Sequence, residues 1–262
     1  MKKEQKLYFY LITVAYDGSE FAGWAIQPHK FTVQGYIETV LSKVFQKKIN
    51  ILATSRTDKG VHAREQKFTL RLSLLFPPEK LFGLLKKALG KYILVKKVQK
   101  VDNNFHPLRN VFSKEYRYFI NTKKVNIWQK KYHWEYNLPL AVKKLNEILQ
   151  FFQGRHNFFN YSYCRWQERE KVNTEREIAS LKCWKRKNII VISIIAKSFL
   201  RYQIRAIIGE VINCYEGKQT VNDLKAKLVN YNKKNYKYKN IAPASGLYLW
   251  KIDYKKSNKN FI

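Results

Sequence analysis

Residues 54–63 read TSRTDKGVHA, a run in which a strand end gives way to a polar turn and then returns to a strand. Arg56, Asp58 and His62 are crowded into that one short loop. A loop held between two strands can fix a carboxylate beside a guanidinium, the arginine favouring the ionised acid while the strands set its direction. Gly60 supplies the freedom for a positive φ or a close backbone approach. On residues alone the same pattern also describes a surface turn with an Arg–Asp ion pair, and the loop does not separate the two. It does set a local order of strand, turn and strand, which the flanking sequence extends both ways.

Upstream, residues 7–16 are aromatic and β-branched and predict a strand, closed by the turn chemistry of Tyr16-Asp17-Gly18-Ser19. Thr32 is placed as a helix N-cap, followed by Val33, Ile37, Val40, Leu41, Val44 and Phe45 at helical spacing. Residues 49–54 and 66–74 predict two further strands, Pro77-Pro78 opens a second helix with Leu81, Leu84, Leu85 and Leu89, and residues 92–100 return as a strand. The order is β-α-β-β-α-β. A looser copy comes after it, with a strand at 112–121, a helix at 139–152, strands at 176–184 and 189–196, a helix at 199–214 and a last strand at 247–253.

Two split β-α-β halves of this ferredoxin-like kind predict an α+β fold, with helices on one side of a mixed or mainly antiparallel central sheet and the other side open to build a cleft. The expected domains are residues 1–104, carrying the Asp58 loop, and 105–262, completing the cleft, since Asp102-Asn103-Asn104 and Pro107 interrupt the periodicity. Residues 230–241 (NYNKKNYKYKNI) read as a basic, aromatic loop.

Lys and Arg number 51 against 19 acidic residues, a formal charge of +32 that invites a polyanion: RNA, DNA or an anionic membrane surface. Much of the excess is Lys, accompanied by many Asn, Ile, Tyr and Phe, a bias that an AT-rich genome also produces. The hydrophobic share of 45% excludes a disordered chain. Cys164, Cys183 and Cys214 are odd in number and widely spaced, which indicates neither a disulfide framework nor a zinc site and suits a reducing cytosol. The basic, apolar N-terminus is short and ends in a charged turn, so it reads as a strand rather than a signal peptide, and no stretch reaches the roughly 18 apolar residues of a membrane helix. Walker, G-x-G-x-x-G, H-E-x-x-H and G-x-S-x-G motifs are absent from the sequence. His62 and His106 have no second ligand cluster at metal spacing, and each is read as a hydrogen-bonding residue.

TSRTDKGVHA resembles the signature GRTDxGVHA of the tRNA pseudouridine synthase A family. Other segments match in family order: YDGSEFAGWAIQP (16–28) with TVQGYIE (32–38), KEYRY (114–118), GRHNF (154–158), FLRYQIRAIIG (199–209) and APASGLYL (242–249). The resemblance implies the pseudouridine synthase fold, with Asp58 as the catalytic carboxylate and Arg56, Tyr116 and Arg205 as active-site support and substrate-binding residues. Ser55 stands where the family has glycine, Asn157 replaces the aspartate of GxHDF, and FHPLRN (105–110) has Leu108 at the arginine position of FHAR, with Arg109 next. Independently, Arg201, Arg205 and Gly209 are spaced four apart and predict one face of a helix whose other face is apolar. Arg205 then has two prospective partners, Asp58 or a phosphate.

The implied function is isomerisation of uridine to pseudouridine in the anticodon stem-loop of tRNA, at positions 38 to 40, by a cytoplasmic homodimer that needs no metal, redox agent or nucleotide cofactor and no membrane. The base is flipped out, stacked on Tyr116, cleaved at N1–C1′ and rejoined through C5. Attack at C1′, attack at the base and a glycal route all require a positioned carboxylate, and the sequence leaves the three open. The competing reading is a non-catalytic tRNA-binding protein or chaperone with the same fold.

Overall fold

The computed structural model describes residues 6–124, 126–163, 173–229 and 240–255. Cys164 and residues 230–239 of the basic loop lie outside the described residues. Strand β1 (Tyr8–Tyr16), helix α1 (Val33–Phe45), strands β2 (Leu52–Ala53) and β3 (His62–Leu72), helix α2 (Pro78–Leu89) and strand β4 (Ile93–Val101) reproduce the β-α-β-β-α-β order. After them come β5 (Val111–Asn121), β6 (Trp134–Glu135), α3 (Val142–Leu149), β7 (Gly154–Asn157), β8 (Glu175–Arg186), β9 (Ile189–Ala196), α4 (Gln203–Tyr215), α5 (Val221–Val229) and β10 (Leu247–Tyr254). The fold is α+β and mostly antiparallel, as expected.

Several boundaries differ for identifiable reasons. Helix α3 is shorter than 139–152 because Ala141 is extended (φ −82°, ψ 113°) and forms its N-cap, and residues 150–152 tighten into a 3₁₀ turn. Helix α4 begins at Gln203 rather than 199 because Tyr202 is left-handed (φ 62°). Arg201 therefore precedes the helix, and the expectation that it shares a helix face with Arg205 is corrected. Strands β6 and β7 are made by pairing, with β5 and β8 respectively, rather than by alternation of their own. Helix α5 has no counterpart among the expected elements.

The chain forms two compact units, residues 1–112 with 249–262, and residues 113–248. In the first, strands lie in the order β4-β1-β3-β10, with β2 beside β3. Register pairs Tyr10 with Leu70 and Ile12 with Phe68, so one face of the sheet is a wall of fully buried apolar side chains. Helices α1 and α2 contribute the buried stripes Val33, Ile37, Leu41 and Leu81, Leu85, Leu89. On the opposite face Thr13 pairs with Lys67 and with Lys97, and Phe9 with Arg71, beside a small cluster of Leu11, Val101 and Phe105.

In the second unit the order is β5-β9-β8-β7, every neighbour antiparallel. Helix α3 is pinned to β8 by Asn146, whose Nδ2 donates to the Cys183 carbonyl (2.9 Å) and whose Oδ1 accepts the Cys183 N–H (2.8 Å). Helix α4 is buried along most of its length, Ile204, Ile207, Ile208, Val211 and Ile212 included. No helix among the described residues is long and apolar enough to cross a membrane.

The start of α1 is joined to the loop that precedes it. The N–H groups of Val33 and Gln34 donate to the carbonyls of Gly23 (3.1 Å) and Trp24 (3.0 Å), and the Gly35 N–H donates to Thr32 Oγ1 (3.2 Å). The orphan donors of the first turn are thereby satisfied by a cap and by the preceding loop. Thr32→Ala is expected to cost about 1 kcal/mol, read as a lower thermal midpoint, with Thr32→Ser close to wild type.

Candidate active site

Asp58 sits in the loop between β2 and β3, half-buried, while Arg56 is exposed and Thr54, Ser55, Thr57 and Val61 are buried. The loop is held at both ends by strand chemistry. At its start the Thr54 N–H donates to the Lys67 carbonyl (2.8 Å), Thr54 Oγ1 is hydrogen-bonded to the Tyr254 hydroxyl, and the fully buried Gln66 donates Nε2 to the Ser55 carbonyl (2.7 Å). At its end the Val61 N–H donates to the Asp58 carbonyl (3.1 Å), closing a turn in which Gly60 has φ 78°. Gly60 is thus the residue that takes the left-handed conformation, as its position predicted.

The second support is the turn after β1, residues 16–24. The Tyr16 hydroxyl is hydrogen-bonded to Thr57 Oγ1 (2.8 Å), the Gly18 N–H donates to His62 Nδ1 (3.1 Å), and the Trp24 N–H donates to the Thr57 carbonyl (3.0 Å). Asp17 Oδ1 also lies 3.1 Å from His62 Nδ1, but it accepts from the Ser19 N–H (2.9 Å) and Oγ–H (2.7 Å). A nitrogen that accepts from Gly18 has no proton to give Asp17, so the His62 proton belongs on Nε2. Both glycines of this turn are fitted to the Asp58 loop. A Cβ on Gly18 would lie 2.1 Å from the Val61 carbonyl oxygen, and one on Gly23 (φ 107°) would lie 3.1–3.3 Å from the backbone of residues 57–59. The Asp58 main chain is therefore clamped by backbone on one side and by strand β3 on the other.

Tyr116 and Arg205 belong to the second unit, so the four site residues expected from the sequence divide two and two. Tyr116 is buried on β5, its ring edge-on to Phe199 at 5.3 Å. Arg205, on α4, donates Nε to the Ala242 carbonyl (2.7 Å) while its own carbonyl accepts the Ala242 N–H (3.0 Å). Its guanidinium lies 5.4 Å from the Tyr202 ring, which also receives Arg201 at 4.9 Å. The arginines that do not share a helix face do share one aromatic ring.

The remaining segments interlock within this unit. A Cβ on Gly209 would meet the Asn240 carbonyl oxygen at 2.5 Å, and one on Gly246 would meet the Tyr118 ring at 2.7–2.8 Å. The Tyr118 hydroxyl donates to the Pro243 carbonyl (2.8 Å), and burial raises its pKa well above the usual phenol value. Helix α4, strand β5 and residues 240–246 are thus one packed assembly around Arg205.

A model of the family described as tRNA pseudouridine synthase matches residues 12–108 and 148–255. This chain belongs to that family. The tRNA pseudouridine synthase A of Mesoplasma florum is 36% identical over 259 residues, 95% of this chain and 100% of that protein. Those of Ureaplasma parvum and Dictyoglomus thermophilum are 36% and 35% identical, covering 94% and 93% of this chain and 99% and 98% of theirs.

The departures from the family pattern have local explanations. Ser55 is not among the residues with positive φ, so its backbone does not require glycine. Asn157 Oδ1 accepts from the Phe159 N–H (3.0 Å) and the Thr174 hydroxyl (2.8 Å), two bonds that an amide oxygen accepts as well as a carboxylate does. In the 105–110 loop His106 Nδ1 accepts the N–H groups of Leu108 (3.2 Å) and Arg109 (3.3 Å), the hydrogen-bonding role read from the sequence.

Sequence reasoning missed Gly18, Gly23 and Trp24 as buttresses of the loop, and it missed Lys114. Lys114 lies two residues before Tyr116 on the same face of β5 and is buried, which pushes its pKa down to about 8. The available signal was a lysine at an apolar-period position of a strand.

Two outcomes test these contacts. Gly18→Ala forces the loop aside, and a displacement near 1 Å is expected to cost about 100-fold in isomerisation rate; Gly83→Ala, where a Cβ meets nothing within 4 Å, leaves the rate at wild type. The folded-state pKa of Lys114 is depressed, so charging it opposes folding below about pH 8, and the penalty fades as pH rises from about 8 to 10.5. In a denaturation series the wild type should therefore gain unfolding free energy relative to Lys114→Met as pH rises from about 8 to 10.5, by at most about 3 kcal/mol.

Proposed function

We propose that this pseudouridine synthase isomerises uridines in the tRNA anticodon stem-loop, at positions 38 to 40, with Asp58 as the catalytic carboxylate. The observation that carries the reading is the clamped loop. The side chain of a reacting acid must be held in one direction, and here the backbone around Asp58 is fixed by Trp24, Gly18, Gly23 and Gln66 before any substrate arrives. The relatives from Mesoplasma, Ureaplasma and Dictyoglomus, which are called tRNA pseudouridine synthase A and match over nearly their full lengths, support the substrate class.

The reaction breaks N1–C1′, forms C5–C1′ and releases the C5 proton while N1 regains one, so atoms balance without a co-reactant. Asp58 supplies the nucleophile or base that each of the three routes requires. Tyr116, with its ring fixed against Phe199, stacks on the extruded uracil. Arg205 orients Asp58 or neutralises a phosphate, and Arg56, exposed in the same loop as Asp58, takes a phosphate. The lysines on the polar sheet face of the first unit, Lys67 and Lys97, add to the field that draws the polyanion. The enzyme acts in the cytoplasm as a homodimer.

Incubation with unmodified tRNA carrying tritium at uridine C5 tests the assignment. Wild type releases tritium and places pseudouridine at positions 38 to 40; Asp58→Asn releases none and keeps tRNA affinity within about twofold, since one carboxylate among the phosphate contacts changes docking little. Turnover by Asp58→Asn, or modification elsewhere in the tRNA, contradicts the proposal.

A further inference from the structure

The connection between β5 and β6 contains none of the four site residues expected from the sequence. Trp128 is 78% exposed and Ile127 74%, whereas Trp24 is buried to 1%. Contiguous exposed apolar surface rimmed by polar residues is the kind that marks interaction sites. Lys123, Lys124, Lys130 and Lys131, which flank Ile127 and Trp128 along the chain, are all exposed. The acidic neighbour Glu135 is already paired with Lys130 at 3.5 Å.

The turn is built rather than trailing. The Gln129 N–H donates to the Asn126 carbonyl (3.1 Å) and Oδ1 (3.0 Å), and the Tyr132 N–H donates to the Gln129 carbonyl (2.9 Å). Its exit is tied down by the Tyr248 hydroxyl, which donates to the Tyr132 carbonyl (2.9 Å). Trp128 and Ile127 therefore project from a short double turn anchored to the sheet.

Charge decides what such a surface accepts. A second copy docked through this same turn would set Lys123, Lys124, Lys130 and Lys131 against their own counterparts. A bilayer needs a broad apolar face to enter, and two apolar side chains among four ammonium groups do not make one. An RNA loop offers both missing components, phosphates for the lysines and an unstacked base for the indole.

We propose that residues 123–124 and 126–131 form a second tRNA-docking platform, in which Trp128 stacks on an unpaired nucleobase and Lys123, Lys124 and Lys131 hold the flanking phosphates. The proposal rests on tRNA being the substrate and deepens that reading. It assigns Trp128 to affinity and not to bond rearrangement.

The test uses the full chain and unmodified tRNA. Trp128→Ala is expected to weaken Kd by roughly 5- to 100-fold, Trp128→Phe to restore most of it, and the loss to fall on Kd rather than on the single-turnover rate at saturating tRNA. Lys123→Gln combined with Lys124→Gln should flatten the log Kd against log salt slope by about one to two. An unchanged Kd in Trp128→Ala overturns the proposal, as does an altered sedimentation mass with unaltered Kd, which would assign the surface to a second copy. Trp128-dependent binding to phosphatidylserine vesicles without Trp128-dependent tRNA binding overturns it in favour of a membrane. If wild type binds tRNA through Trp128 yet releases no tritium, the catalytic assignment falls and the platform stands.

Discussion

The Trp24 N–H to Thr57 carbonyl bond, with Gly18 and Gly23 pressed on the same loop, is the constraint on which the first unit is organised. Two glycines allow two backbone segments to touch where any side chain would keep them apart. The contact fixes the loop before Asp58 on one side, while Gln66 fixes it from strand β3. Because Gly23 and Trp24 also accept the first donors of α1, the helix terminus, the turn and the loop form one continuous network. Positioning is thus transmitted from the core, through α1, to a half-buried carboxylate.

The second unit uses the same device. Gly209 and Gly246 let helix α4 and strand β5 close on the backbone of residues 240–246, and Arg205 and Tyr118 bond the carbonyls of Ala242 and Pro243 in that segment. The arginine is therefore anchored through its Nε while its guanidinium rests by Tyr202. Segments that look like separate motifs along the chain are neighbours in space, and each glycine marks a place where they meet.

A basic surface and a fixed carboxylate do different work. Long-range charge gathers and orients a polyanion without reading it, and the reacting geometry is set by a few short, buried contacts. In the proposed function the surface around Trp128 serves the first task and the clamped loop the second, which is why their variants are expected to separate in affinity and rate.

Much was legible in one dimension because the physics there is local. Alternation, apolar spacing, the Thr32 cap and the Gly60 turn predicted the strands, helices and loop of the first half to within a few residues, since each depends on neighbours two to four positions away. The family signature likewise pointed to Asp58. What local pattern does not contain is pairing: β6 and β7 exist only through their partners, α4 starts where Tyr202 turns left-handed, and Lys114 is buried by a sheet face that the chain closes from a distance. The sequence by itself determined the charge, the element order of the first half and the family signature that contains Asp58; only the tertiary structure decided which backbones press together around that loop, because close packing is a property of segments that are remote along the chain.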